Sequence, residues 1–195
     1  MRTLLLVILS LSILNCSNKE QQNISCENLI KIDSLSFCKN KKTPLEFVQK
    51  AELKKENNEI KIHHLNQSFK DNLTEEHFKE YSIIGKLNEW NLIIGQDYNQ
   101  NYYYLVNKNK IDTLVGSPKV FGKTLLSIED AYTDFQEIIE IWNIQDDGKI
   151  LLNKRFSLKE CYDFRIMESY LFENYIFIKT GVENRKSSFY KIKFK

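Results

Sequence analysis

"NLIIGQDYNQNYYYLVNKNKIDTLVG", residues 91–116, sets out an apolar strand, a polar loop, an aromatic strand, a short turn and a third strand. β-branched and aromatic types are enriched and polar breaks fall every few residues, a pattern that predicts antiparallel β structure. "TLLSIEDAYTDFQEIIEIWNIQDDGKILLNKRF", residues 124–156, repeats the same order with a longer first loop. "NYIFIKTGVENRKSSFYKIKFK", residues 174–195, repeats the first two strands and lacks the outer one. Asp146-Asp147-Gly148-Lys149 is a hairpin signal, because glycine admits a positive φ there, and Asn107-Lys108-Asn109-Lys110 holds the same place in the first unit. Glu59 to Leu65 alternates like a strand and is expected to supply the missing outer strand of the last unit. Lys191, Lys193 and Lys195 alternate with Ile192 and Phe194, as the solvated side of a final strand would.

The organisation expected around this β domain, residues 81–195, is a 26–80 segment with one strand and two short helices. Thr43-Pro44-Leu45-Glu46 has the form of a capping box with proline at the first helical position, so a helix is expected to about Lys55. Thr74 is placed to cap a second, with Leu73 and Phe78 as a hydrophobic staple. At 195 residues the chain is long enough for one domain with a real core. Lys and Arg total 28 against 26 Asp and Glu, without the basic clustering that nucleic acid selects.

"SPKVFGKTLLS" (117–127), followed by "IEIWNI" (139–144) and "DDGK" (146–149), is similar to a β-propeller blade of the WD-repeat or TolB-like kind. That resemblance implies blade-like repeats forming an incomplete propeller. A two-sheet sandwich is the other arrangement the strand pattern allows.

The N-terminus carries a different signal. Arg2 is followed by an uncharged stretch from Thr3 to Leu14, about twelve residues against the roughly twenty that a helix needs to cross a bilayer. It reads as the apolar core of a signal peptide, residues 1–15, with no pair of small residues for ordinary cleavage. Ile13-Leu14-Asn15-Cys16 resembles the lipobox of bacterial lipoproteins, with Asn15 where the family usually has Gly, Ala or Ser. The resemblance implies a diacylglyceryl thioether and acylated amine at Cys16, hence palmitate-type lipid and an address in the cell envelope, at the outer membrane. Two or three chains give stable anchoring where one does not. Residues 16–25 are then a lipidated tether, polar and unpatterned after the cysteine.

In an oxidising compartment a disulfide is plausible among the remaining cysteines, Cys26, Cys38 and Cys161. Cys26 and Cys38 bound "CENLIKIDSLSFC", a loop whose closure would contribute about 3 kcal/mol. Three reduced thiols, or a pairing that involves Cys161, are the alternatives. No cofactor or metal site is expected: there is no CxxC, and His63, His64 and His77 have no ligand spacing with the cysteines. None of the six glycines lies in a phosphate-binding motif.

Two features bear on function. Glu129, Asp130, Asp134 and Glu137 crowd one loop, where carboxylates could serve a glycoside hydrolase or bind Ca²⁺; a solvated hairpin loop is the simpler account. Aromatic residues gather in and beside the first two units: Trp90, Tyr98, Tyr102, Tyr103, Tyr104, Tyr132, Phe135 and Trp142. Of these, Trp90, Tyr103, Tyr132 and Phe135 are the candidates for contact with a protein or glycan partner, against core packing as the commoner fate of such residues. The expected function is a non-enzymatic, lipid-anchored binding domain. An immunity or inhibitor lipoprotein that neutralises a toxin or lytic enzyme, and a hydrolase using the Glu129–Glu137 loop, are the alternatives.

Overall fold

The computed structural model describes residues 22–23, 28–47, 51–57, 59–63, 66–70, 80–97, 100–129, 138–158, 165–181 and 186–195. In chain order the elements begin with β1 (Gln22–Asn23), β2 (Ile30–Ile32) and helix α1 (Ser34–Lys39). There follow β3 (Ala51–Leu53), β4 (Lys55–Glu56), β5 (Glu59–Ile62), β6 (Gln67–Lys70), β7 (Glu80–Leu87), β8 (Trp90–Gln96), β9 (Asn101–Val106) and β10 (Ile111–Leu114). The rest are β11 (Gly116–Phe121), β12 (Thr124–Glu129), β13 (Ile138–Ile144), β14 (Ile150–Ser157), β15 (Arg165–Phe172), β16 (Tyr175–Gly181) and β17 (Ser188–Lys193). The protein is mainly β and its ladders are antiparallel, apart from the parallel pairing of β1 with β14. Among the described residues no helix is long and apolar enough to cross a membrane.

The strands form four sheets: a first of β4-β5-β6, a second of β10-β9-β8-β7-β3, a third of β1-β14-β13-β12-β11, and a fourth of β15-β16-β17-β2. Each is essentially a meander of consecutive strands, so most pairing is local in sequence. Apolar clusters show how they stack. Ile60 and Ile62 of the first sheet meet Tyr81, Ile83, Ile93 and Val106 of the second. Leu92, Leu105 and Leu114 of the second sheet meet Leu125, Trp142 and Ile150 of the third. Leu126, Ile139, Ile141 and Phe156 of the third meet Ile176, Ile178, Ile192 and Phe194 of the fourth. The two middle sheets thus bury both faces, which is why β8 reads as a nearly unbroken apolar run rather than an alternation.

The turns obey local chemistry. Gly148 takes φ +85° in the hairpin where Gln145 N donates to Lys149 O at 2.8 Å. Asn107 Oδ1 accepts from Asn109 N and Lys110 N and closes the equivalent turn between β9 and β10. On β17, Ile192 is buried and Lys193 exposed, as the alternation of the last strand anticipates.

Two expectations need correction. The Thr43 helix does not form: residues 43–47 are not helical, Leu45 N donates to Val120 O at 2.8 Å, and Ala51–Leu53 pairs with β7. Tertiary pairing with the open edge of β11 satisfies that backbone, and Phe47 packs into the second and third sheets' cluster over Gly85, where a Cβ would sit 2.2 Å from the Phe47 ring. The helix expected at Thr74 lies outside the described residues. Glu59–Ile62 is a strand but does not complete the last unit. Its isoleucines are consumed by the second sheet, and β2 pairs with β17 instead, Tyr190 opposite Lys31. The single described helix, α1, follows β2 directly, capped by Asp33 Oδ1, which accepts from Ser36 N at 2.7 Å. It covers the outer face of the fourth sheet through Phe37, which packs on Tyr170, Phe177 and Phe189.

Candidate functional site

Across the centre of the third sheet, Ser127, Glu140 and Arg155 stand in register on β12, β13 and β14, hence on one face. Trp142 shares that face, which looks toward the second sheet. Glu140 is only 2 % exposed, and its Oε2 accepts from Trp142 Nε1 at 3.1 Å and from Val115 N at 3.3 Å. Arg155 Nε lies 3.3 Å from Glu140 Oε1, within ion-pair range but without the alignment of a hydrogen bond, so it contributes charge. Ser127, fully buried, accepts from Gly116 N at 2.9 Å and donates to Gly116 O at 2.8 Å. These bonds tie β11 and Val115, the single residue between β10 and β11, to the middle of the third sheet.

Glu129, two residues beyond Ser127 on the same face, accepts from Ile138 N through Oε2 at 3.1 Å. Burial pushes both carboxyls above their ordinary range. At Glu129 the Ile138 amide and then the Arg155 charge oppose that rise; at Glu140 Arg155, the Trp142 indole and the Val115 amide do so, while Asp112 adds to it. Asp112, whose Oδ1 pairs with Lys110 Nζ at 2.7 Å, keeps a buried Oδ2 without a hydrogen-bond partner. The arrangement offers two carboxyls biased toward the protonated form beside one guanidinium. Each of them also braces a backbone amide.

Concave sites among the described residues lie elsewhere. At the corner of β2, α1 and β17, Lys31, Ile32, Asp33, Ser34, Lys186, Ser187, Ser188 and Phe189 line a pocket of about 350 Å³. A shallower one of about 210 Å³ lies over β5 and β6, with His63 and Asn66 on its rim. No group of described His, Cys, Asp or Glu residues is arranged to hold a metal ion.

The anticipated partner-binding aromatics divide. Trp90 and Tyr103 are 4 % and 6 % exposed and belong to the core between the second and third sheets, so they are not surface contacts. The physical reason is that both faces of the second sheet are covered, which leaves a strand no outward side. Trp90 satisfies its indole N–H by donating to Gly148 O at 3.0 Å. Tyr132 and Phe135 lie outside the described residues, as do Asp130, Asp134, Glu137, Cys16, Cys26 and Cys161. Cys38 is exposed on α1. Sequence reasoning passed over Glu140 and Arg155. The available signal was a lone acid inside the apolar run "IIEIWNI", facing a lone arginine in the next strand.

No protein-family model, no curated protein and no solved structure matches this chain.

Proposed function

We propose that the chain is a lipid-anchored protein of the bacterial envelope whose β body binds a protein or glycan partner without transforming it. The observation that carries the binding role is the pocket at the β2–α1 corner. It falls in the size range of ligand sites and combines two lysines and three serine hydroxyls with the ring of Phe189. The anchoring role rests on the Ile13–Cys16 lipobox resemblance. We also read the four sheets as blades of an incomplete propeller: each is a meander, they stack face on face, and an N-terminal strand completes the last.

Palmitate labelling of the wild type against Cys16→Ala tests the anchor; label retained in the variant would sink it. For the pocket, the paired change Lys31→Ala with Lys186→Ala is expected to weaken retention on immobilised envelope glycan or on an acidic protein. Unchanged retention on every probe would move the binding surface elsewhere. A second reading, hydrolysis by carboxyls, draws on the raised pKa of Glu129 and Glu140 beside Arg155. Turnover of a chromogenic glycoside that disappears in Glu129→Gln would favour it.

A further inference from the structure

On its β2 side, β17 is covered only at Phe189, Tyr190 and Lys191, because the chain turns at Asp33 into α1. The uncovered start of β17, with the 186–187 chain before it, forms one wall of the corner pocket, and Lys31 to Ser34 form the other. At about 350 Å³ the cavity lies at the lower end of the range for ligand sites, room for one small ring with its substituents. A folded protein partner would instead need a broad contact of about 800 Å² on each side.

The pocket collects polar groups that the fold leaves unspent. Elsewhere Lys41, Lys61 and Lys110 each pair with a carboxylate, and Ser68, Ser127 and Ser169 each hydrogen-bond through the hydroxyl. The ammonium groups of Lys31 and Lys186 and the hydroxyls of Ser34, Ser187 and Ser188 have no such partner among the described residues. Asp33, on the same lining, is engaged: Oδ1 accepts from Ser36 N at 2.7 Å and Oδ2 from Ser36 Oγ at 3.0 Å. Those bonds, the amide first, hold its carboxyl below the ordinary range, so it stays ionised. Two lysines against one carboxylate leave the lining net positive. Phe189 adds an apolar ring, braced by Phe37 at 5.1 Å between centroids.

We propose that this pocket takes a single sugar ring bearing a carboxylate, a uronic acid unit of an anionic glycan. The inference rests on the binding role proposed above and narrows its ligand. The lysines meet the carboxylate, the serine hydroxyls and the remaining lone pairs of Asp33 meet ring hydroxyls, and Phe189 meets the C–H face of the ring. An acidic side chain of a protein would use the lysines and leave the three hydroxyls idle.

Calorimetric titration of the full chain in detergent, at low salt, tests this with trigalacturonate, neutral galactotriose and a polyglutamate peptide. Trigalacturonate is expected to bind about tenfold more tightly than either of the others, the gain of one charge-assisted hydrogen bond over a neutral one. Lys31→Gln with Lys186→Gln should bring it down to the level of galactotriose. Lys70→Gln with Lys86→Gln removes the same charge from exposed positions on the first and second sheets and should leave it unchanged. Equal affinity for the two sugars, or a preference lost equally in both double variants, overturns the anionic sugar and leaves the binding role standing. Polyglutamate bound more tightly than trigalacturonate, and lost with the pocket lysines, overturns it in favour of an acidic protein. Trigalacturonate that does not bind overturns it as well. If retention on the immobilised envelope probes is then also indifferent to Lys31→Ala with Lys186→Ala, the pocket's binding role falls with it.

Discussion

Replacing Glu140 by alanine and by glutamine separates the two things its carboxylate does. Alanine leaves the Trp142 indole N–H and the Val115 amide without their acceptor, and leaves Arg155 without its counter-charge. Leaving those two buried donors without an acceptor costs about 1–3 kcal/mol each, and the partly exposed Arg155 adds little because water screens it. Glutamine keeps an oxygen where both donors point and removes the charge whose burial is the largest influence on this group. What it loses is the unaligned Arg155 contact, which is screened because that arginine is about one-third exposed; a net cost of about 1 kcal/mol or less follows.

Urea unfolding followed by tryptophan fluorescence measures both. Alanine should lower the midpoint strongly with the slope unchanged, and glutamine should barely move it. The pH dependence supplies a sign. A carboxyl whose folded pKa exceeds its unfolded value binds more protons when folded. Its contribution is therefore fully present below the ordinary value of 4.5 and is lost as pH rises through the folded value. Wild-type stability should decline across that window, and Glu140→Gln should flatten the decline. Glutamine as damaging as alanine, with the slope against pH retained, would refute this account of the cluster.

Gly116→Ala should prevent folding or cost more than about 3 kcal/mol, because the new Cβ would sit 1.9 Å from the Ile128 carbonyl oxygen; a soluble variant with wild-type circular dichroism would contradict that. Tyr170→Phe removes the hydroxyl that donates to the Phe37 carbonyl, whose desolvation also pushes the phenol up to about 12; a loss of about 1–2 kcal/mol in thermal unfolding is expected. Trp90→Phe gives up the indole bond to Gly148 and part of the packing between the second and third sheets; about 2–3 kcal/mol should appear as a lower urea midpoint.

Much of the β architecture is legible in sequence because its signals are local. Two-residue alternation in "YKIKFK", the glycine of Asp146–Lys149 and the asparagine of Asn107–Lys110 each determine a strand or a turn within a few residues. The Thr43 segment misleads because its capping signature is intrinsic, while the partner that overrides it, the Val120 carbonyl, lies more than seventy residues away. Trp90 and Tyr103 mislead for a related reason: alternation tells which side a residue faces, and not whether a second sheet covers that side. The Ser127–Glu140–Arg155 row depends on the registers of β12, β13 and β14 together. No single strand announces it, although the lone acid in "IIEIWNI" hints at a satisfied burial.

The pairing of β2 with β17 also bears on when the protein can become itself. Ile30 sits opposite Lys191, some 160 residues apart in the chain, and β1 likewise waits for β14. The meanders between them can form as they are made, but the fourth sheet lacks its last partner until the final residues have appeared. Closing that long span is the slow, entropically costly step, so the early part of the chain remains without its finishing contacts while the rest is synthesised. If the chain is exported, as proposed above, this delay is useful, since a polypeptide that has not yet closed is one that a narrow translocation channel can still thread. It also makes β17 a checkpoint: a product truncated before Ser188 would leave β2 unpaired and an edge open to quality-control proteases.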